Sequence, residues 1–199
     1  MDGHRLIAYA RARLIERPAP SRLTTSYGEA PAVRPHVIVE VATADGLRGL
    51  GEASPLPEFT GETAGSVLCA LNQTYLAPLV GRDPTLIGAI MADLDRALSG
   101  HPSAKAAVDM ALHDLVGKLL GVPVATLLGG ARRPSVRVAR AVGIGTVAET
   151  VAAAEQYVAA GFGTVKVKVG QDSRADVERV RAVRAAVGPD VRIRIDGNQ

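Results

Sequence analysis

The chain has 199 residues, 47% of them hydrophobic and 22% charged, which is typical of a globular protein with a sizeable core. Its net charge is only +3 and 3% of its residues are aromatic, which argues against a nucleic-acid surface. One cysteine cannot form an internal disulfide, and no apolar run approaches the ~20 residues of a membrane span. We therefore expect a cytoplasmic protein that binds neither nucleic acid nor membrane, with Cys69 as a small buried helix residue.

The first part of the chain has the pattern of a small antiparallel sheet followed by helices. Three strand-like runs precede three runs of helical periodicity: residues 6–14, 37–43 and 47–53, then residues 63–80, 84–98 and 103–120. A proline-rich loop is predicted at 17–35, and Asp45-Gly46 is a strong signal for a tight hairpin turn. Asp83 is expected to cap the second helix. Residues 1–128 are thus predicted to form an α+β domain.

Strands and helices alternate after residue 129. The predicted order is strand 136–142, helix 147–160, strand 164–169, helix 175–187 and strand 191–196. Short links between successive units indicate parallel pairing with right-handed crossovers. Residues 129–199 are therefore predicted to form an α/β unit whose strands pair in parallel.

Two lysines lie on one face of the predicted strand 164–169. Side chains alternate across a strand, so Lys166 and Lys168 share a face while Val165, Val167 and Val169 share the other. On an antiparallel edge strand the lysines would face solvent. Between helices, the valines would pack under the helices and the lysines would point inward. Two inward ammonium groups are costly unless carboxylates or a metal organise them, so the pair is a candidate for acid/base chemistry.

The next strand carries a candidate metal ligand. Asp196 falls at its carboxyl end, where the active sites of barrels are built. A carboxylate is a hard oxygen ligand that suits Mg²⁺. A carboxylate that ends a strand and begins a turn is equally common.

Other candidate sites are weaker. The four histidines are scattered without the spacing of metal ligands, so they are interpreted as surface or core residues. Gly46, Gly49 and Gly51 superficially suggest a phosphate loop, but no helix follows them immediately. Turn and close-packing roles are the preferred interpretation of these glycines.

Four motifs in order resemble the mandelate racemase and muconate lactonizing enzyme family of the enolase superfamily. They are GEASPLPEFTGET at 51–63, AKAAVDMALHDL at 104–115, VKVKVG at 165–170 and RIDGNQ at 194–199. Each motif is a weak signal by itself, but all four occur in the order of the family, and the resemblance covers essentially the whole chain. It implies that residues 129–199 are the first three strands of a (β/α) TIM-like barrel of the (β/α)7β type. A complete barrel takes about 250 residues, so we expect this barrel to be incomplete and the chain to be a fragment or the product of a split or decayed gene.

The resemblance implies a role for each residue of the candidate site. Lys168 matches the general base that removes a proton α to a carboxylate, and Lys166 the lysine that tunes it and helps to hold the substrate carboxylate. Asp196 matches the first of three acidic ligands of Mg²⁺, with Mn²⁺ as the other candidate ion. Asn198 matches a polar neighbour of that ligand. The remaining ligands of the family come from later strands, so we expect the 199 residues alone to be inactive.

Two loops of the first domain are implied to close over the barrel mouth and select a small carboxylate substrate. They lie around residues 24–28 and 54–60, which makes Ser26, Tyr27, Glu58 and Phe59 candidates for substrate contacts. The full-length protein is expected to be a homo-oligomer.

The implied activity is a magnesium-dependent isomerase that racemises or epimerises an N-acylated amino acid or a dipeptide. A muconate-type cycloisomerase and an o-succinylbenzoate synthase are alternatives within the superfamily. A lyase that forms a Schiff base through Lys168 is an alternative of another enzyme class. A non-catalytic truncated remnant is the alternative without enzymatic activity.

Overall fold

A computed structural model describes residues 5–19 and 23–197. The strands are β1 (Ile7–Pro18), β2 (Thr24–Thr25), β3 (Gly28–Glu29), β4 (Val33–Thr43), β5 (Arg48–Ala53), β6 (Arg140–Val142), β7 (Thr164–Lys168) and β8 (Arg192–Asp196). The α-helices are α1 (Pro57–Thr60), α2 (Ala64–Ala70), α3 (Ile87–Ala97), α4 (Pro102–Leu120), α5 (Val124–Leu127), α6 (Val147–Ala159) and α7 (Ser173–Val187).

The chain divides into two compact units. The first comprises Met1–Pro18 and Val33–Arg132, and the second comprises Ala19–Ala32 and Arg133–Gln199. The sequence pattern predicts that residues 19–32 belong to the first domain, whereas they cluster with the second unit. They do so because the β2–β3 hairpin hydrogen-bonds to segments that follow β6 and β7.

The first unit is built on an antiparallel sheet in the order β1-β4-β5. The central strand β4 buries Val37, Val39 and Val41, which alternate along it and face the helices, as a half-buried strand requires. The predicted hairpin between β4 and β5 is present, and Gly46 takes the positive φ of 89° that the turn needs.

Helix α4 packs unusually close to β5. A Cβ atom at Gly51 would lie 1.9 Å from the carbonyl oxygen of Ala107, and one at Gly49 would lie 2.1 Å from that of Ala111. Only glycine at both positions allows the strand backbone to approach the helix backbone in this way. The close-packing interpretation of these glycines is therefore correct.

The predicted helix 63–80 is broken into three pieces. Helix α2 is followed by a π-helical turn, Leu71–Tyr75, and a 3-10 turn, Ala77–Leu79. Pro78 explains why α-helix does not resume after the π-helical turn, because it lacks an N–H and its ring clashes with the carbonyl four residues earlier.

The second predicted helix starts later than expected. Helix α3 begins at Ile87 rather than at residue 84. The carboxylate of Asp83 instead accepts hydrogen bonds from the backbone N–H and hydroxyl of Thr85, which forms a turn ahead of the helix.

Cys69 is exposed, so the expectation of a buried cysteine is wrong. On α2 the core-facing residues are Val67 and Ala70, and the 100° step of the helix places Cys69 on the opposite side from Val67. None of the helices within the described ranges is long and apolar enough to cross a membrane.

The second unit contains a parallel sheet in the order β6-β7-β8, with β7 in the centre. Helices α6 and α7 cover one face of it, where Val165 and Val167 are fully buried. Strand β6 covers only part of the predicted run 136–142, because β7 starts at Thr164 and Arg140 already pairs with Val165.

Both helices of the second unit begin at side-chain caps. Thr146 and Glu149 form a reciprocal capping box at the start of α6, and these hydrogen bonds hold the pKa of Glu149 below its ordinary value. Asp172 accepts a hydrogen bond from the backbone N–H of Ala175 at the start of α7. These caps fix where each helix departs from the strand before it.

Candidate functional site

Lys166, Lys168 and Asp196 meet at the carboxyl ends of β7 and β8. The parallel register pairs Lys168 with Asp196 and Lys166 with Arg194. Lys168 Nζ donates a hydrogen bond to Asp196 Oδ2 at 2.7 Å, and Lys166 Nζ lies 3.0 Å from the same oxygen. One oxygen of the Asp196 carboxylate therefore contacts both ammonium groups.

The three side chains differ in their exposure to solvent. The Lys168 side chain is 10% exposed, Asp196 28% and Lys166 38%. A lysine buried to this extent needs an anionic partner, and Asp196 provides it. The cluster still carries one more positive than negative charge, which suits an anionic group such as a substrate carboxylate.

Asp196 is also the residue of this cluster that could hold a divalent metal ion. Its oxygens are hard ligands, and Mg²⁺ in proteins is held by one or two carboxylates together with waters and substrate oxygens. Within residues 5–19 and 23–197, no group of three or more His, Cys, Asp and Glu side chains is placed to hold a metal. Among the described residues, Asp196 thus fits such an ion as a single ligand.

The β2–β3 hairpin contacts the segments that follow all three parallel strands. After β6, the backbone N–H of Ile144 donates to the carbonyl of Thr24 at 2.9 Å. After β7, Gln171 Nε2 donates to the carbonyl of Thr25 at 3.3 Å.

After β8, the Ser26 hydroxyl donates to the carbonyl of Gly197 at 3.3 Å. The same corner includes Gly170, whose Cβ would lie 3.4 Å from that of Ser26. The hairpin therefore lies at the edge of the sheet where the Lys–Asp cluster is found.

The other predicted contact residues are distributed over both units. Tyr27 is exposed at the turn of the hairpin, next to Ser26. Glu58 and Phe59 are exposed on α1 of the first unit. Asn198 lies outside the described residues.

Two further residues at this site were missed by reasoning from sequence. Arg179 on α7 is only 2% exposed and donates to the carbonyl oxygen of Lys168 at 3.1 Å. It is also ion-paired with Asp176, whose other oxygen accepts a hydrogen bond from the backbone N–H of Gly170 at 2.8 Å. The available signal was the i,i+3 spacing of Asp176 and Arg179, with Arg179 next to the core-facing Val180.

Two family models match the chain. The model described as mandelate racemase / muconate lactonizing enzyme, N-terminal domain, matches residues 13–129. The model described as enolase C-terminal domain-like matches residues 149–199.

Individual relatives agree with these matches. An L-Lys-D/L-Arg epimerase of Methylococcus capsulatus is 42% identical over 82% of this chain and 46% of its own length. A chloromuconate cycloisomerase of Cupriavidus necator is 37% identical over 92% of this chain and 49% of its own length. The crystal structure of a dipeptide epimerase from Enterococcus faecalis V583, complexed with Mg and L-Leu-L-Tyr, has 33% identity and a TM-score of 0.91. The matched region covers 98% of this chain and 54% of the epimerase chain.

The chain thus spans about half the length of the curated relatives it matches. The predicted fold class, an α+β capping domain followed by the opening strands of a (β/α) barrel, is confirmed. The chain belongs to the mandelate racemase / muconate lactonizing enzyme family of the enolase superfamily.

Proposed function

We propose that the full-length protein removes a proton α to a carboxylate and returns a proton to the opposite face of the same carbon, which racemises or epimerises an N-acylated amino acid or a dipeptide. The observation that carries this proposal is the cluster of Lys166, Lys168 and Asp196 at the carboxyl ends of β7 and β8. Two amines and one carboxylate at this edge of a parallel sheet provide a base, a cationic contact for an anion and an oxygen ligand.

Lys168 is the proposed base. It is the more buried of the two lysines, and a neutral amine there accepts a proton from the α-carbon while water is excluded. Lys166 is more exposed and is proposed to hold the substrate carboxylate as a cation and to tune Lys168. Because both amines contact the same oxygen of Asp196, they are held close to each other.

Asp196 is proposed to be one ligand of a Mg²⁺ ion, with Mn²⁺ able to take the same place. When bound, the ion supplies positive charge where negative charge develops on the substrate carboxylate. Asn198 is proposed to support Asp196 from the position two residues further along the chain.

The β2–β3 hairpin is proposed to select the substrate. Its turn residues Ser26 and Tyr27 lie at the strand ends that carry the cluster, so their side chains are suited to contact the part of the substrate away from the carboxylate. Glu58 and Phe59 on α1 are proposed to contribute in the same way.

A muconate-type cycloisomerase is the second candidate. Sequence identity to the chloromuconate cycloisomerase, 37%, is close to the 42% found for the L-Lys-D/L-Arg epimerase. The preference for an epimerase rests on this somewhat higher identity to the epimerase.

Exchange of the α-proton with solvent tests the proposal directly. The full-length protein is incubated with Mg²⁺ in D₂O with a panel of dipeptides and N-acylated amino acids, and loss of the α-proton signal is followed by NMR. We expect exchange on at least one member of the panel and loss of exchange in Lys168→Ala.

Lys118→Ala is the matched control, because Lys118 pairs with a carboxylate on α4 of the first unit and lies outside the cluster. It should exchange at the rate of the unmodified protein. Turnover of a muconate without exchange on the panel would favour the cycloisomerase. Exchange that persists in Lys168→Ala would refute the assignment of the base.

A further inference from the structure

The turn that follows Lys168 is held by a charged pair on the next helix. Arg179 and Asp176 on α7 form an ion pair, and each of them also binds the main chain of this turn. Arg179 Nη1 donates to the carbonyl oxygen of Lys168 at 3.1 Å, and Asp176 Oδ2 accepts from the N–H of Gly170 at 2.8 Å. The two residues therefore bracket Val169.

Burial of the Arg179–Asp176 pair, which we call the bracket, costs desolvation free energy, and this cost argues for a specific role. Arg179 is 2% exposed, and an arginine buried this far requires an ionic partner and well-placed hydrogen bonds. Its neighbours in the core beneath the sheet are apolar, including Val180 and Val183. An apolar side chain at this position would fill the same space without desolvating a charge.

The same turn is also tied to β8. The N–H of Val169 donates to the carbonyl oxygen of Asp196 at 3.0 Å. Gly170 has a φ of +114°, which residues with side chains rarely adopt. Three consecutive residues, Lys168 to Gly170, are thus fixed through their backbone atoms.

We propose that Arg179 and Asp176 are positioning residues for Lys168. By fixing the carbonyl of Lys168 and the N–H two residues later, they hold the end of β7 so that the Lys168 amine stays in place beside Asp196. Neither residue is proposed to contact substrate. This inference rests on the proposed role of Lys168 as the base.

The test compares Arg179→Met and Asp176→Ala with a matched control on the same helix. Arg184 also uses its guanidinium to bind two backbone carbonyls, those of Gly188 at 2.6 Å and Val191 at 2.7 Å. These carbonyls lie between α7 and β8, before the first residue of β8, whereas the cluster is at the carboxyl end of that strand. Arg184→Met therefore removes a similar contact without touching the turn after Lys168.

In the full-length protein, we expect Arg179→Met and Asp176→Ala to lower kcat for α-proton exchange by about 100-fold with little change in KM. A misplaced base slows the chemical step, while the groups that bind the substrate remain. Arg184→Met should leave both constants close to those of the unmodified protein. Arg179→Lys, which keeps the charge but has a single donor group, should recover part of kcat.

Amide hydrogen exchange gives a readout that does not depend on activity. The N–H of Gly170 should exchange faster in Arg179→Met and Asp176→Ala, and at an unchanged rate in Arg184→Met. If Arg179→Met does not fold, Arg179→Lys and Asp176→Ala carry the comparison.

The outcomes separate this inference from the proposed function. Equal losses of kcat in Arg179→Met and Arg184→Met would overturn the positioning role, because they would indicate general destabilisation. An unchanged rate of amide hydrogen exchange at Gly170 in the Arg179 and Asp176 variants would also overturn the positioning role. If the unmodified protein shows no α-proton exchange, the proposed function fails, while faster exchange at Gly170 in the variants would still support the bracket.

Discussion

At the scale of single residues, the cluster places two ammonium groups on one carboxylate oxygen. Asp196 Oδ2 lies 2.7 Å from Lys168 Nζ and 3.0 Å from Lys166 Nζ. The carboxylate offsets the repulsion between the two lysines as well as the desolvation of Lys168. Its charge is therefore a condition for the local structure as well as for the proposed chemistry.

We predict that Asp196→Asn lowers the free energy of unfolding by about 1–3 kcal/mol, because a neutral amide leaves the buried Lys168 charge uncompensated. The Lys166 side chain is 38% exposed, so solvent screening keeps the loss towards the lower end of this range. The measurement is urea unfolding of the full-length protein followed by circular dichroism.

The control for this prediction is Asp190→Asn, which changes an exposed carboxylate before β8. Its stability should remain within a few tenths of a kcal/mol of the unmodified protein. Added salt should reduce the loss in Asp196→Asn, because it screens repulsion between the lysines. Equal stability of the two variants would contradict the compensating role of Asp196.

At the scale of elements, the contact of β5 with α4 depends on the absence of side chains at two alternate strand positions. The Cβ positions at Gly49 and Gly51 are occupied by backbone carbonyls of the helix. A neighbour that belongs to helix backbone cannot rotate away as a flexible side chain would. Any larger residue must therefore separate the strand from the helix.

We predict that Gly51→Ala lowers the free energy of unfolding by at least about 1–3 kcal/mol, the usual cost of overpacking a core. The added methyl would lie 1.9 Å from the carbonyl oxygen of Ala107. Gly88→Ala on α3 is the matched control, because no atom other than those of its chain neighbours and of the nearby backbone of its own helix lies within 4 Å of its Cβ position. Alanine is favoured over glycine in helices, so this control should be slightly more stable. Similar changes in both variants would contradict the prediction.

Periodicity predicted the strands of the parallel sheet well, because valines at alternate positions identify the face under the helices. Val165 and Val167 are buried there as expected. The pairing of Lys168 with Asp196 depends on the register between two strands, which no local pattern specifies. Arg179 was missed for a different reason, since arginine on an amphipathic helix is ordinarily exposed.

The predictions that were wrong in the helical part of the chain failed for local reasons. Asp83 matches a helix cap in sequence, but its side chain closes a turn with Thr85 before the helix starts. Aspartate favours both arrangements, and the surrounding structure decides between them. Cys69 was misplaced because the composition of a helix does not determine the rotation of that helix towards the core.

At the scale of the whole molecule, the two units have separate apolar cores. The core of the first unit combines β1, β4, β5 and several helices around α4. Among the described residues, the buried core of the second unit consists of Val142, Ala154, Val165, Val167 and Val183. Because apolar burial is the dominant favourable term in folding, the first unit has the larger source of stability.

We predict that backbone amides of β4 and α4 exchange with solvent more slowly than those of β6 and β7. Local opening should release the smaller core of the second unit at a lower free energy. Native-state hydrogen exchange of the 199-residue chain in low concentrations of denaturant measures both values in one experiment. Identical opening free energies in the two units would show a single cooperative structure and contradict the prediction.

The β2–β3 hairpin has a consequence for how the protein is made. Ser26 reaches its partner Gly197 across 171 positions of the chain. At a synthesis rate of about 5–20 residues per second, Gly197 leaves the ribosome about 10–30 s after Ser26. Strands on both sides of the hairpin can pair during this interval, but the hairpin cannot reach its final position. A nascent chain therefore presents residues 23–30 to chaperones and proteases until its third parallel strand has been synthesised.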